Sequence, residues 1–492
     1  MLFNSYIFIF LFLPIVLIGF YLIGEYLNKR LALSWLVVAS LLFYAWWNPA
    51  YLALIVASIV FNYFVGRRLY LTRSKFLLFV GVGVNLASIG YFKYANFFVD
   101  SINIAFNLSF NLEKILLPLA ISFFTFQQIT FLVDAYREKT KEYDFLHYCL
   151  FVTFFPQLIA GPIVHHKEMM PQFRSDAIAK LNFSHLSVGV SLFALGLFKK
   201  VVLADNIAVY ATPIFASAEN SVPMTLVEAW AGALAYTFQL YFDFSGYSDM
   251  AIGLARMFGI VLPVNFFSPY KAQSIIEFWR RWHITLSRFL RDYLYFSLGG
   301  NRRGKARRYV NLMLTMLLGG LWHGAGWTFV IWGALHGFYL CVNHAWRAVV
   351  GEGRVISKNK YGKLSKFVGV LLTFFAVVIA WVMFRAESVG GALHLYSAMF
   401  AQHGISPPGG LEPELTNMLI LMFMIVWLMP NSLEWLKKET PALDINRFTE
   451  DKDGGRWIIW QPTYRFVCIT ALLLTSAIMY IQQESEFLYF QF

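Results

Sequence analysis

His323 sits in GGLWHGAGW, residues 319–327, a single ionisable ring among glycines inside an apolar stretch. Imidazole changes charge near neutral pH, which suits it to taking and returning a proton. An ionisable group at membrane depth usually faces the bundle interior or a water-filled cavity and carries function. The competing explanation is a neutral histidine that only hydrogen-bonds a neighbouring helix. His147, His165, His166, His185, His336 and His344 are read that way. His323 differs in its glycine setting and in the polar groups that accumulate near it.

Two further clusters carry chemistry. Gln239–Gly253 reads QLYFDFSGYSDMAIG and gathers Asp243, Ser245, Tyr247, Ser248 and Asp249 within seven residues. A carboxylate there, Asp243 or Asp249, can orient an imidazole or stabilise its protonated form. Otherwise the motif is a polar helix end resting on headgroups. Residues 277–300 read EFWRRWHITLSRFLRDYLYFSLGG. Phe278, Trp282, Leu286, Phe289, Leu290 and Tyr293 recur at helical spacing, with Arg280, Arg281, Arg288 and Arg291 between them. The pattern predicts an amphipathic helix on the cytoplasmic membrane surface. Guanidiniums at a pore mouth would hold the phosphates of a cytoplasmic cofactor. His283, on the same helix, is either a second catalytic group or an interfacial aromatic.

The elements that position these residues follow from composition. The 492 residues are 58% hydrophobic and 14% charged, and the mean hydropathy is +0.57. A soluble domain carries about a quarter charged residues. Many apolar runs here approach the ~20 residues that cross a ~30 Å hydrocarbon layer. The expected fold is therefore all-α, a polytopic transmembrane helical bundle forming a single domain over 1–492. Ser5 to Tyr26 is read as the first spanning helix rather than a cleavable signal, because it lacks a basic start and a small-residue cleavage site. Cys149, Cys341 and Cys468 lie far apart and make neither a disulfide framework nor a metal motif. The net charge of +12 falls between apolar runs, which argues for membrane-flanking loops and against nucleic acid.

Basic loops at 28–30, 66–75 and 136–142 alternate with loops nearly free of Lys and Arg at 46–51 and 96–111. The positive-inside rule then puts the N terminus outside. Lys93, at an outer end, goes against the rule and is read as a snorkelling residue. Pro156 and Gly161-Pro162 interrupt the apolar stretch Phe145 to Ile163, which predicts a re-entrant segment. Residues 271–308 are the most basic part of the chain and are placed in the cytoplasm. About twelve membrane-entering passes plus the re-entrant piece result, with both termini outside. Tyr309 to Leu321, if helical, rises roughly 20 Å, which would leave His323 still within the membrane.

YFDFSGYSDMAIG (241–253), FWRRWHITLSRFLRDYLYFSLGGNRRG (278–304) and GGLWHGAGWTFVIWG (319–333) together resemble the signatures of the membrane-bound O-acyltransferase family. The likeness is to its bacterial polysaccharide-acetylating branch, and PLAISFFTFQQITFLVDAYR, FFPQLIAGPIV and WVMFRAES extend it over essentially the whole chain. The resemblance implies an inner-membrane bundle with a central tunnel, acetyl-coenzyme A as a cytoplasmic donor substrate, and no permanently bound cofactor or metal. It puts the family's invariant histidine on His323 and its second, more variable catalytic position on His283. Trp322, Asp243, Ser245, Tyr247 and Asp249 become supporting residues, and Arg280, Arg281, Arg302 and Arg303 donor-phosphate ligands. His323 would act as general base or through an acetyl-histidine; the sequence leaves both open. The branch also implies a separate extracytoplasmic acetyltransferase as partner. The rival classes are a polysaccharide-export channel, disfavoured by the absence of two related halves, and a non-catalytic scaffold subunit.

Overall fold

The computed structural model describes residues 1–137, 144–350, 362–407, 409–449, 459–481 and 488. Among these residues the fold is entirely helical, with one isolated bridge between Pro263 and Leu443. Five helical stretches are long and apolar enough to cross a membrane: Phe8–Tyr26, Ala50–Thr72, Lys75–Phe106, Phe183–Glu219 and Gly362–Arg385. Pro413–Leu428 and Tyr464–Tyr480 are shorter apolar helices. The last three stretches fall close to the spans that hydropathy predicts over 367–384, 415–429 and 464–481. The basic loop expected at 136–142 and the C terminus lie largely outside the described residues.

Leu226–Met257 is the pillar of the bundle, a helix of 32 residues and thus about 48 Å long. Thr225 and Glu228 cap its start reciprocally, the Thr225 N–H donating to Glu228 Oε2 at 2.8 Å. Every residue from Ala235 to Met257 is buried. The polar motif 241–253 therefore lies inside the bundle rather than on headgroups. Its glycines explain how the helix Phe183–Phe198 comes so close. A Cβ on Gly253 would stand 2.6 Å from the Gly189 carbonyl oxygen, and one on Gly246 2.7 Å from that of Gly196. Small residues paired in this way let two backbones touch where lipid offers no hydrophobic driving force.

Of the two basic side chains that follow this contact, Lys200 is buried with it and Lys199 is half-buried. Lys200 Nζ lies 2.7 Å from Asp205 Oδ1 and 2.7 Å from Asp243 Oδ1. Lys199 Nζ lies 2.7 Å from Asp249 Oδ2, which also accepts from Ser432 Oγ at 2.6 Å. Lys199–Ala204 is a π-helical turn. Such turns are rare and recur at functional sites.

The stretch expected to re-enter is broken as foreseen. Phe145–Thr153 ends at Phe154, a short helix Phe155–Leu158 follows, and irregular backbone runs on to His165. Residues 150–166 are all buried, so protein covers this irregular chain. Side chains satisfy its donors: Phe155 N–H donates to Ser40 Oγ (3.2 Å) and Ile163 N–H to Thr285 Oγ1 (3.0 Å).

The single amphipathic surface helix expected over 276–300 is not there. Ile275–Trp279 and Ile284–Phe289 are separate short helices, followed by the π-helical turn Leu290–Tyr295. His283 divides them in a left-handed conformation, φ +41°. The apolar side chains Phe278, Trp282, Leu286, Phe289 and Leu290 point into the bundle and are buried. Helical spacing identified the buried face correctly but carried no signal for the break.

Candidate active site

The Lys305–His323 helix is 19 residues long, about 28 Å from end to end. It packs against Trp327–Val350, and His323 is its last residue. The final carbonyls of a helix have no partner within it. Here Lys93 Nζ donates to the carbonyl oxygens of Trp322 (2.6 Å) and His323 (3.1 Å), and Tyr94 Oη to that of Leu321 (2.7 Å). Lys93 and Tyr94 come from the π-helical turn Gly90–Tyr94. A cation at a helix C terminus is favourable, so Lys93 is not a snorkelling residue. It fixes the backbone that carries the histidine.

Three rings enclose the His323 imidazole edge to face: Trp322 at 4.9 Å, Trp332 at 5.0 Å and Phe384 at 5.2 Å between centroids. Its Nδ1 is buried without a hydrogen-bond partner among the described residues. The side chain borders a small cleft of about 40 Å³ lined also by Lys93, Ser122 and Phe123.

His283 is completely buried, and its protonation pattern follows from one amide. Its Nδ1 lies 3.1 Å from Asn265 Oδ1, which also accepts from Thr285 Oγ1 (2.8 Å) and from the Thr285 N–H (3.3 Å). A backbone N–H can only donate, so the Asn265 atom facing it is the oxygen and Nδ1 of His283 must carry the hydrogen. The neutral ring then presents a lone pair at Nε2, which is buried and unpartnered among the described residues. Trp322 stands between the two histidines, 6.1 Å from the His283 ring and 4.9 Å from that of His323. Asn265→Leu should therefore reproduce the kcat loss of His283→Ala, on the order of 10², because both variants remove the same oriented lone pair. Wild-type kcat in Asn265→Leu would reduce His283 to packing.

The other expected residues separate. From the 241–253 motif it is Phe244 that reaches the site, edge-on to His283 at 4.8 Å. Ser248 also reaches it, accepting from Asn265 Nδ2 at 3.1 Å. Asp243 and Asp249 are held by Lys200 and Lys199, and neither hydrogen-bonds an imidazole. The orienting role expected for them falls to Asn265. Tyr247 stacks on Phe3 at 4.8 Å, and Ser245 Oγ is buried without a partner among the described residues. Asn265 was missed because it lies in PVNFF, where a lone amide among apolar residues was the only signal.

At the opposite end of the Lys305–His323 helix lies a wider polar cavity of about 760 Å³, bordered by Arg137, His165, Lys167, Tyr293 and Arg302. Tyr293 Oη donates to Asp134 Oδ2 (3.0 Å) and lies 3.3 Å from His165 Nδ1. Arg288 forks onto Glu168 (2.7 and 3.1 Å), whose Oε2 accepts from the His165 N–H, which fixes this wall. Arg302 is the one expected phosphate ligand that lines it. Arg281 pairs with Glu277 at 2.6 Å, Arg303 lies over Gly299, and Arg280 is exposed and does not line the cavity. Arg137 and Lys167 are the cations that the sequence reading passed over.

The profile of the membrane-bound O-acyltransferase family matches residues 112–384, a stretch that contains both histidines, Asn265 and both cavities' principal walls. The chain belongs to that family. It is an O-acyltransferase and a membrane protein. Over 436 residues it is 46% identical to a peptidoglycan O-acetyltransferase of Helicobacter pylori, covering 82% of this chain and 81% of that protein. It is 42% identical to a probable alginate O-acetylase of Pseudomonas putida over the full length of both. A teichoic acid D-alanyltransferase of Streptococcus thermophilus is 28% identical over 55% of this chain and 69% of its own. This O-acyltransferase thus has relatives whose names span more than one acyl group and several polymers.

Proposed function

We propose that this protein moves an acetyl group from cytoplasmic acetyl-coenzyme A to an extracytoplasmic hydroxyl, for O-acetylation of a cell-surface or exported polysaccharide such as alginate or peptidoglycan. The observation that carries the reading is the pair of cavities at the two ends of one helix, with His323 in the wall of one and a cluster of cations in the wall of the other. The relatives' names supply acetyl and polysaccharide.

In this reading the chain sits in the bacterial inner membrane with about twelve passes, a tunnel joining the cavities, and both termini outside. Residues 271–308 face the cytoplasm. Arg302, Arg137 and Lys167 hold donor phosphates, since guanidinium and ammonium groups suit them. The thioester travels toward His323. Neutral His323 takes the proton of the acceptor hydroxyl, whose oxygen attacks the thioester carbon. The C–S bond breaks, and the imidazolium returns the proton to the departing thiolate. Trp322, Trp332 and Phe384 keep bulk water off the reacting atoms, which strengthens each electrostatic interaction there. Single cysteines at Ser101 and Lys305, in a background without Cys149, Cys341 and Cys468, test the sidedness. An impermeant thiol reagent on intact cells should label position 101 and spare 305, and the reverse pattern would remove the cytoplasmic donor.

The acceptor is a separate extracytoplasmic acetyltransferase, which passes acetyl on to the glycan. The charge-poor outer segments are short, and the longest, 386–416, is below the ~50 residues of an independent glycan-binding domain. In liposomes with acetyl-coenzyme A on the cytoplasmic face and polysaccharide opposite, the protein alone should acetylate no polysaccharide. Robust acetylation without a second protein would refute the hand-off.

A further inference from the structure

A run of stacked aromatic rings leads from the lining of the wide cavity to that of the cleft beside His323. Tyr293, in the wall of the wide cavity, stacks on Phe289 at 5.4 Å and 24°. Phe289 stacks on Phe126 at 4.2 Å and 15°, and Phe126 on Trp322 at 5.5 Å and 18°. Trp322 and His323 form the wall of the cleft at the other end. Ring faces at such spacings are in contact. The members are not held alike. Tyr293 is tied by its hydroxyl to Asp134, Trp322 lies beside a capped helix end, and Phe289 is almost fully buried. Phe126 has no polar tether and is only partly buried.

We propose that Phe126 is a plug occupying the slot between the faces of Phe289 and Trp322, the slot that the planar amide-bearing arm of the acyl donor takes when the thioester reaches His323. This rests on the reading of the two cavities as donor and acceptor sides. The geometry favours an amide arm because a flat group sandwiched between two ring faces can take the place of a phenyl ring. A protein whose binding-competent state is a minor one binds with an affinity reduced by that fraction. The plug therefore weakens donor binding while it stands in the slot. It also keeps the thioester from water: the cleft beyond is lined by Lys93 and Ser122 as well as His323, and water there could replace the acceptor hydroxyl. Hydrolysis would form the C–O bond of acetate, break the C–S bond, and return the water's proton to the thiolate through His323.

The plug predicts a gain that damage to the fold does not produce. Purified full-length wild type, Phe126→Ala and, as the milder change, Phe126→Leu are compared with acetyl-coenzyme A. Acceptor-independent acetate release and the donor KM are measured. Phe126→Ala should release acetate on the order of 10-fold faster than wild type, with a donor KM lower by a similar factor; Phe126→Leu should shift both in the same direction by less. Unchanged hydrolysis and KM in a folded variant, whether Ala or Leu, would overturn the proposal. If wild type itself consumes no acetyl-coenzyme A, it is the donor assignment that fails.

Discussion

His323→Ala should lower acetyl transfer by ~10²–10⁴, the usual cost of losing a positioned general base, while the protein still inserts and folds. The backbone at this position is held by groups that the substitution leaves in place. Lys93 and Tyr94 bind carbonyl oxygens, not the imidazole, and the imidazole Nδ1 has no partner to lose. Removing the ring takes contacts from Trp322, Trp332 and Phe384 and leaves a small cavity, but no buried polar group is orphaned. The measurement is kcat beside a thermal-unfolding control in detergent. Near-wild-type turnover in a folded His323→Ala would remove the residue from the chemistry.

Lys200→Met should be the most damaging substitution for stability. One ammonium, 1% exposed, faces two carboxylates at 2.7 Å each. Breaking a buried ion pair by deleting one partner typically costs ~3–5 kcal/mol, because the remaining charge is left without compensation. Here two carboxylates would be stranded between helices already in backbone contact. Adding Asp205→Asn and Asp243→Asn should recover most of the loss, since the buried charges are then gone altogether. A Lys200→Met protein that melts like wild type, or a triple variant no better than the single one, would show that the cluster does not stabilise the bundle.

These pairs mark where the sequence could be read and where it could not. Apolar length located Pro413–Leu428 and Tyr464–Tyr480 to within two residues and Gly362–Arg385 to within five, because membrane thickness dictates it. His323 stood out because glycines and apolar neighbours made its charge conspicuous. Asp243 and Asp249 were equally conspicuous, yet they serve Lys200 and Lys199. Nothing local reveals which cation another helix delivers, and the glycines that bring that helix close were read only as part of a signature. His283 was found, but its helix break was not, since a left-handed histidine leaves the apolar periodicity on either side intact. Asn265 and Phe126 gain their roles only from contacts made in the fold, the first through a proline-flanked loop and the second through ring stacking. The surface-helix expectation failed for the same reason, as a buried interfacial segment and an exposed one share a periodicity.

The central claim is that the protein itself handles the acetyl thioester. Purified protein incubated with acetyl-coenzyme A carrying a labelled acetyl group tests it most directly. Wild type should release coenzyme A and move the label to water or to an added acceptor, at a rate that His323→Ala abolishes. A donor left intact by folded wild-type protein, with acceptor present, would contradict the account.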